Sequence, residues 1–195
     1  MFVVDDDVSM REGLGSLIAS AGLQVECFAS AREFLLRRES EQPSCLVLDV
    51  RMPGISGLEL QSRLATSARR IPIIFITAYG DIPMAVRAMK AGAIGFLPKP
   101  FPGEDLLGVI LQALKQDQLG IEQRTEIYLM RLRRDRLTGR ERQVMVQIGR
   151  GKLNKQIAAE LGVSENTIKV HRSHIMEKMG AATIAELVRM IDRLA

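Results

Sequence analysis

Short apolar runs that stop at a polar residue recur through the first half of the chain. Phe2-Val3-Val4 stops at Asp5-Asp6-Asp7, Leu46-Val47-Leu48 at Asp49, and Ile73 to Ile76 at Thr77. Ile94 to Leu97 leads through Pro98 to Lys99, and Val25 to Phe28 forms another such run. Runs this short, without polar alternation, predict strands covered on both faces. The first is brief beside a usual strand of roughly five or six residues, which leaves room for native residues before Met1. Between the runs, apolar residues fall at helical spacing. Leu14, Leu17 and Ile18 predict a helix over 9–20, and Leu60 and Leu64 one over 58–68. Further helices are expected over 31–38, over 82–91 (capped by Asp81, with Pro83 in the first turn) and over 103–115. Strand–helix alternation of this kind predicts an α/β domain over 1–115, a doubly wound five-stranded parallel sheet. Right-handed crossovers line the strand C-termini along one edge, and Asp5, Asp6, Asp49, Thr77 and Lys99 converge there.

The pattern changes after residue 115. Residues 116–137 are densely charged, and Ile121, Thr125, Tyr128, Leu129 and Leu132 keep helical spacing, so a long linker helix nearly continuous with the one before it is expected, a linker frayed at Gly120 being the alternative. Residues 138–195 show no strand-like alternation. Thr138 and Glu141 form a capping box for a helix running to about Arg150. A short helix over 155–161, the turn Gly162-Val163-Ser164, and a helix over 165–179 follow. Thr183 and Glu186 open the last helix. Two short helices joined by a Gly-containing turn form a helix-turn-helix, so an all-α four-helix domain is predicted.

Composition narrows the choices. No apolar stretch is long enough to span a membrane, and no signal peptide is evident, which points to a cytoplasmic protein. Cys27 and Cys45 fall in predicted strands and read as free buried thiols. No Cys/His cluster suggests structural zinc. Residues 1–99 carry 11 acidic and 11 basic side chains, and residues 100–137 carry 6 of each. Residues 138–195 carry 6 acidic and 10 basic. The excess positive charge is therefore confined to the last module, as expected for a polyanionic partner.

The converging carboxylates Asp5, Asp6 and Asp49 would repel one another without a cation. Oxygen donors suit Mg²⁺, which bridges carboxylates to phosphate. Lys99 offers a charge, and Thr77 a hydroxyl, to a phosphoryl group carried on Asp49. Spacing alone also leaves a hydrolytic phosphatase or a plain Mg²⁺ site open. In the basic module, helix 165–179 turns Ile168, Ile175 and Met179 inward, with His171 near them. It presents Asn166, Lys169, Val170 and Ser173 outward, a set able to read base edges in a major groove. Arg172 and Lys155 are placed for phosphates, and Thr167 for the DNA backbone.

At this point a resemblance becomes specific. Val3-Val4-Asp5-Asp6-Asp7, Leu48-Asp49-Val50-Arg51-Met52-Pro53, Gly57, Ile76-Thr77-Ala78 and Gly95-Phe96-Leu97-Pro98-Lys99-Pro100-Phe101 resemble the flavodoxin-like receiver domain of two-component response regulators. Leu137 to Val144, Gly151 to Ala158 and Val163 to Arg172 resemble the LuxR-type output domain. The whole chain resembles the FixJ/NarL class, FixJ most of all. The resemblance implies a receiver over 1–115, a linker over 116–137 and an output domain over 138–195. It implies Asp49 as phosphoacceptor, Asp5, Asp6 and the Arg51 carbonyl as Mg²⁺ ligands beside Asp49, and Thr77 and Lys99 on the phosphoryl group. It also implies a cis Lys99–Pro100 bond. Phe96 occupies the switch position where relatives carry Tyr, so its switching cannot use a hydroxyl. Several relatives have Lys at the Ser173 position, which weakens the carry-over there.

The resulting expectation is a phosphorylation-dependent transcriptional activator rather than an enzyme, with only slow autodephosphorylation. Its partners would be a sensor histidine kinase, double-stranded promoter DNA and RNA polymerase. It would be a monomer that dimerises through the face of residues 82–110 when phosphorylated. The competing readings are a small aspartyl phosphatase, and a DNA-binding protein whose receiver has lost phosphate acceptance.

Overall fold

The computed structural model describes residues 1–38, 41–67 and 70–194. The chain divides into two units, Met1–Ile121 and Glu122–Ala195. In the first, strands β1 (Phe2–Val4), β2 (Glu26–Phe28), β3 (Leu46–Asp49), β4 (Ile73–Thr77) and β5 (Gly95–Pro98) form one parallel sheet. Its order is β2-β1-β3-β4-β5. The apolar runs are explained by burial on both faces. Phe2, Val4, Leu46, Leu48 and Phe75 pack with Phe34, Leu60 and Ala88, while Val3, Val47, Ile74 and Ile76 pack with Leu14, Ile18, Leu106 and Ile110. Helices α2 (Ala31–Leu35), α3 (Gly57–Leu64) and α4 (Ile82–Lys90) therefore cover one face. Helix α1 (Val8–Ser20) and the first part of α5 (Gly103–Asp135) cover the other.

Several element ends differ from the sequence pattern for local reasons. Helix α2 stops at Leu35, not Arg38. Leu36 and Arg37 donate to the Glu33 and Phe34 carbonyls, tightening the last turn. The Arg37 guanidinium lies 3.7 Å from the Phe34 ring centroid and also donates to the Phe34 carbonyl. Helix α3 stops at Leu64 because the Thr66 and Ser67 hydroxyls take the carbonyls of Arg63 and Leu64. The expected end at Ala68 lies outside the described residues. Only Cys45 is buried. Cys27 is exposed, because β2 is an edge strand with β1 as its single neighbour. Both cysteines are free thiols.

Helix α5 runs unbroken from Gly103 to Asp135, so residues 116–135 continue the helix begun at 103. The second unit adds α6 (Gly139–Gly149), α7 (Asn154–Leu161), α8 (Glu165–Met179) and α9 (Ile184–Leu194). The capping box at Thr138 and Glu141 is formed. Gly162, at φ +64°, closes α7, and the Ser164 hydroxyl accepts the Thr167 N–H to open α8. Val144, Ile148, Ile157, Ile168, Ile175 and Leu187 form its core. No helix among the described residues is long and apolar enough to cross a membrane.

Candidate functional site

The sheet topology places four predicted residues at one edge. Asp5 directly follows β1, Asp49 and Thr77 are the last residues of β3 and β4, and Lys99 directly follows β5. In a 2-1-3-4-5 sheet this edge flanks the switch between β1 and β3, where α/β sheets form their ligand crevice. Asp5 is 1% exposed, Asp49 6% and Thr77 1%. The Lys99 ammonium bridges the two acids, donating to Asp5 Oδ2 at 2.8 Å and to Asp49 Oδ1 at 2.9 Å. Asp49 Oδ2 accepts the Arg51 N–H at 2.7 Å. The Lys99–Pro100 peptide is cis.

Burial pushes the Asp49 carboxyl up from the ordinary aspartate value, outweighing Lys99 and the Arg51 N–H, which pull it down. Burial pulls Lys99 down, but its hydrogen bonds to Asp5 and Asp49 prevail, and its net direction is upward. Asp49 is thus an ionisable group held where its charge is expensive, beside a cation that makes the charge tolerable. That is a suitable ground state for a carboxylate nucleophile.

Asp6 is placed differently. It follows Asp5 but is exposed, and among the described residues no three His, Cys, Asp or Glu side chains cluster as metal ligands. The two carboxylates that do converge, Asp5 and Asp49 on the Lys99 ammonium, offer oxygens. They match a hard divalent cation in kind.

Several supporting groups were not legible beforehand. Arg11 donates to the Asp5 carbonyl at 2.7 Å, and the Asp7 N–H donates to Asp5 Oδ1 at 2.9 Å. Thr77 Oγ1 accepts the Tyr79 N–H at 3.2 Å, and Arg51 lies 4.8 Å from the Tyr79 ring centroid. Gly80 packs against both switch candidates: a Cβ there would stand 2.8 Å from Phe96 Cε1 and 3.0 Å from Thr77 Cγ2. Gly57 has a motif position and a steric reason, since a Cβ would stand 2.3 Å from the Asp49 carbonyl oxygen. Phe96 is partly buried, 6.3 Å from Phe75 between ring centroids. On α4, Val86 and Met89 are exposed, whereas Leu106 of α5 is fully buried.

In the second unit, α8 buries Ile168, Ile175 and Met179 and exposes Asn166, Lys169, Val170 and Ser173. Thr167 is half-buried, and its hydroxyl lies 2.8 Å from that of Ser164. Lys155 is exposed at the start of α7. Arg172 Nη1 donates to Asn154 Oδ1 at 3.0 Å, a pairing invisible in linear sequence. His171 is half-buried, while His174 is exposed with Nδ1 3.8 Å from Glu141 Oε1. Glu141 is almost fully buried. Hydrogen bonds from Lys178 hold its carboxyl down at about 2 against the burial that would raise it, with help from Thr138.

Comparison with known proteins agrees with this division. Residues 1–111 match the model of the response regulator receiver domain, and residues 135–191 match that of bacterial regulatory proteins, luxR family. Nodulation protein W of Bradyrhizobium diazoefficiens is 48% identical over 194 residues, all of this chain and 86% of the relative. Response regulator protein TmoT of Ectopseudomonas mendocina is 49% identical over 194 residues, all of this chain and 88% of the relative. Among solved structures, response regulator StyR matches with TM-score 0.85 and 53% identity, covering 98% of this chain and 97% of StyR. Full-length FixJ from B. japonicum matches with TM-score 0.59 and 41% identity, covering 99% of this chain and 95% of FixJ.

Proposed function

The chain belongs to the two-component response regulators of the FixJ/NarL class, a receiver domain joined to a LuxR-type helix-turn-helix domain, and on that footing we propose that phosphorylation of Asp49 controls promoter binding by α8. Its class works with a sensor kinase and with DNA, accepting a phosphoryl group rather than turning over a substrate. The observation that carries the assignment is the Lys99 bridge between Asp5 and Asp49 at the carboxyl edge of the sheet.

In this reading an Asp49 carboxylate oxygen attacks the phosphorus of the kinase's phosphohistidine. A P–O bond forms, the P–N bond breaks, and its electron pair leaves on the imidazole nitrogen. Lys99 is held by two carboxylates and can turn to a phosphoryl oxygen once Asp49 has spent its charge. Asp5, Asp6, Asp49 and the Arg51 carbonyl are the oxygen donors that would hold Mg²⁺. When bound, the ion supplies charge neutralisation for the incoming phosphoryl group. The Thr77 hydroxyl would leave the Tyr79 N–H for the phosphoryl group, and Phe96 would follow into the space vacated beside Gly80. The exposed Val86 and Met89 on α4 suit dimerisation of the phosphorylated form from a monomer.

The input is assigned to residues 1–115, the output to 138–195, and the connection to 116–137. On α8, Asn166, Lys169, Val170 and Ser173 face base edges, while Lys155, Thr167 and Arg172 serve the DNA backbone. Activation of transcription through RNA polymerase, in the cytoplasm, completes the proposal.

The test is incubation of the full chain with acetyl phosphate and Mg²⁺. Wild type is expected to take up one acid-labile phosphate and Asp49→Asn none. Equal incorporation in both would remove Asp49 from the role.

A further inference from the structure

Helix α8 is a rod of about 22 Å, at about 1.5 Å per residue. A tilt of about 5° pivoting at one end moves the other by about 2 Å, enough to break hydrogen-bond geometry with a base. What fixes its C-terminal end therefore bears on what its outer face can read. Gly180, at φ +69°, ends the helix. The Gly180 N–H donates to Glu177 and the Ala181 N–H to Met176, the paired bonds of a Schellman end. The Met179 carbonyl takes no part in these two bonds. Arg133, in the last turn of α5, donates to it from Nη1 at 3.2 Å. The guanidinium lies against the glycine: a Cβ at Gly180 would meet Arg133 Nη1 at 3.3 Å and Cζ at 3.5 Å. Its positive charge also opposes the negative end of the helix dipole.

Arg133 is itself held in place. Met130, one turn earlier, is 4% exposed and packs in the same core as Ile175 and Met179. Glu126, two turns earlier, accepts both Arg193 Nη groups of α9 at 2.6 Å. The last three turns of α5 are thus built into the output unit and present one guanidinium to the end of α8.

We propose that Arg133 is a positioning residue for DNA recognition, fixing the pose of α8 from the linker helix. The proposal rests on the reading of α8 as the DNA-contacting helix. The linker's C-terminal half then does more than tether the output unit: it sets how the reading face is offered to the groove.

The test uses the full phosphorylated chain and two duplexes. One is the duplex that phosphorylated wild type enriches from a random-sequence pool, and the other is its scrambled counterpart. Arg133→Ala is expected to lower affinity for the enriched duplex about tenfold, the scale of one lost base contact. Affinity for the scrambled duplex should stay within about twofold, because phosphate contacts carry non-specific binding. Arg133→Lys, which can still donate to Met179, should recover most of the loss. If Arg133→Ala does not fold, Arg133→Met, which keeps an apolar stem of similar length and has no N–H to donate, gives the same readout. A ratio unchanged in the folded Arg133 variants, with only the melting temperature lowered, overturns the proposal. A wild-type chain that enriches no sequence overturns the DNA-reading assignment itself.

Discussion

Asp49 is buried at the carboxyl edge of the sheet, in hydrogen-bond contact with Lys99 and the Arg51 N–H. Its carboxyl is raised because burial disfavours the charged form more than Lys99 favours it. A group whose folded pKa lies above its unfolded value binds protons more tightly in the native state. Stability from that group therefore falls as pH rises through the interval between the ordinary value and the raised one. At neutral pH the charged Asp49 is a net cost to the fold. Asp49→Asn, which keeps shape and removes charge, should stabilise the receiver at pH 7 by an amount on the order of 1 kcal/mol. The gain should shrink as pH falls through the raised pKa toward 3.8, because wild-type Asp49 then becomes neutral too. Urea melts of both chains across that range check this, and a gain independent of pH would assign it to packing instead. Asp49, Thr77 and Lys99 were legible because each stands at or just past the end of an apolar strand. Arg11, Tyr79 and Gly80 were not, because what matters is the carbonyl, hydroxyl or ring that each meets across a loop. Asp6, next along the chain, is exposed where Asp5 is buried.

At the scale of elements, a buried carboxylate ties two helices of the output unit together. Glu141 closes the capping box of α6, accepting the Thr138 N–H at 2.7 Å. It also accepts the Lys178 ammonium from the last turn of α8 at 2.7 and 2.9 Å. Sequence spacing revealed the box, but not the lysine 37 residues away. With its folded pKa held at about 2, Glu141 stabilises fully above the ordinary glutamate value, and that stabilisation is lost as pH falls toward 2. The helical output unit should therefore lose stability over that acid interval. Glu141→Gln, which keeps one acceptor for the cap and loses the charge facing the partly exposed Lys178, should cost about 1 kcal/mol at pH 7 and flatten the acid dependence. Circular dichroism melts at pH 7, 4 and 3 measure both effects, and an acid profile as steep in the variant as in wild type would exclude Glu141 as the source. Element types were legible from periodicity throughout. Their ends were not where side chains took over the last carbonyls, as Arg37 does on α2 and Thr66 and Ser67 do on α3.

Across the whole molecule, one helix enters two cores. Leu106, Ile110 and Ala113 of α5 are buried with the sheet strands, and Met130 of the same helix is buried with α8. The charge pattern separated input from output, and helical spacing carried into the linker. That the last turns of the linker are packed was hidden, because the helical stripe read from spacing ran through Tyr128, Leu129 and Leu132, which are exposed, while Met130 beside them is the side chain buried in the output core. Gly120 lies between the two sets of anchors and is the residue of lowest helix propensity in that interval. Proline there removes one backbone hydrogen bond and clashes with the preceding turn, costing about 3 kcal/mol locally. Each half of α5 keeps its own anchors, so both units of Gly120→Pro should fold and Asp49 should take up phosphate as in wild type. If helical continuity carries the phosphorylation signal, the gain in DNA affinity on phosphorylation should fall severalfold in Gly120→Pro and persist in Gly120→Ala. Binding titrations with and without acetyl phosphate measure that gain. An undiminished gain in the proline variant would place the signal outside α5, leaving the exposed α4 face and dimerisation as its route.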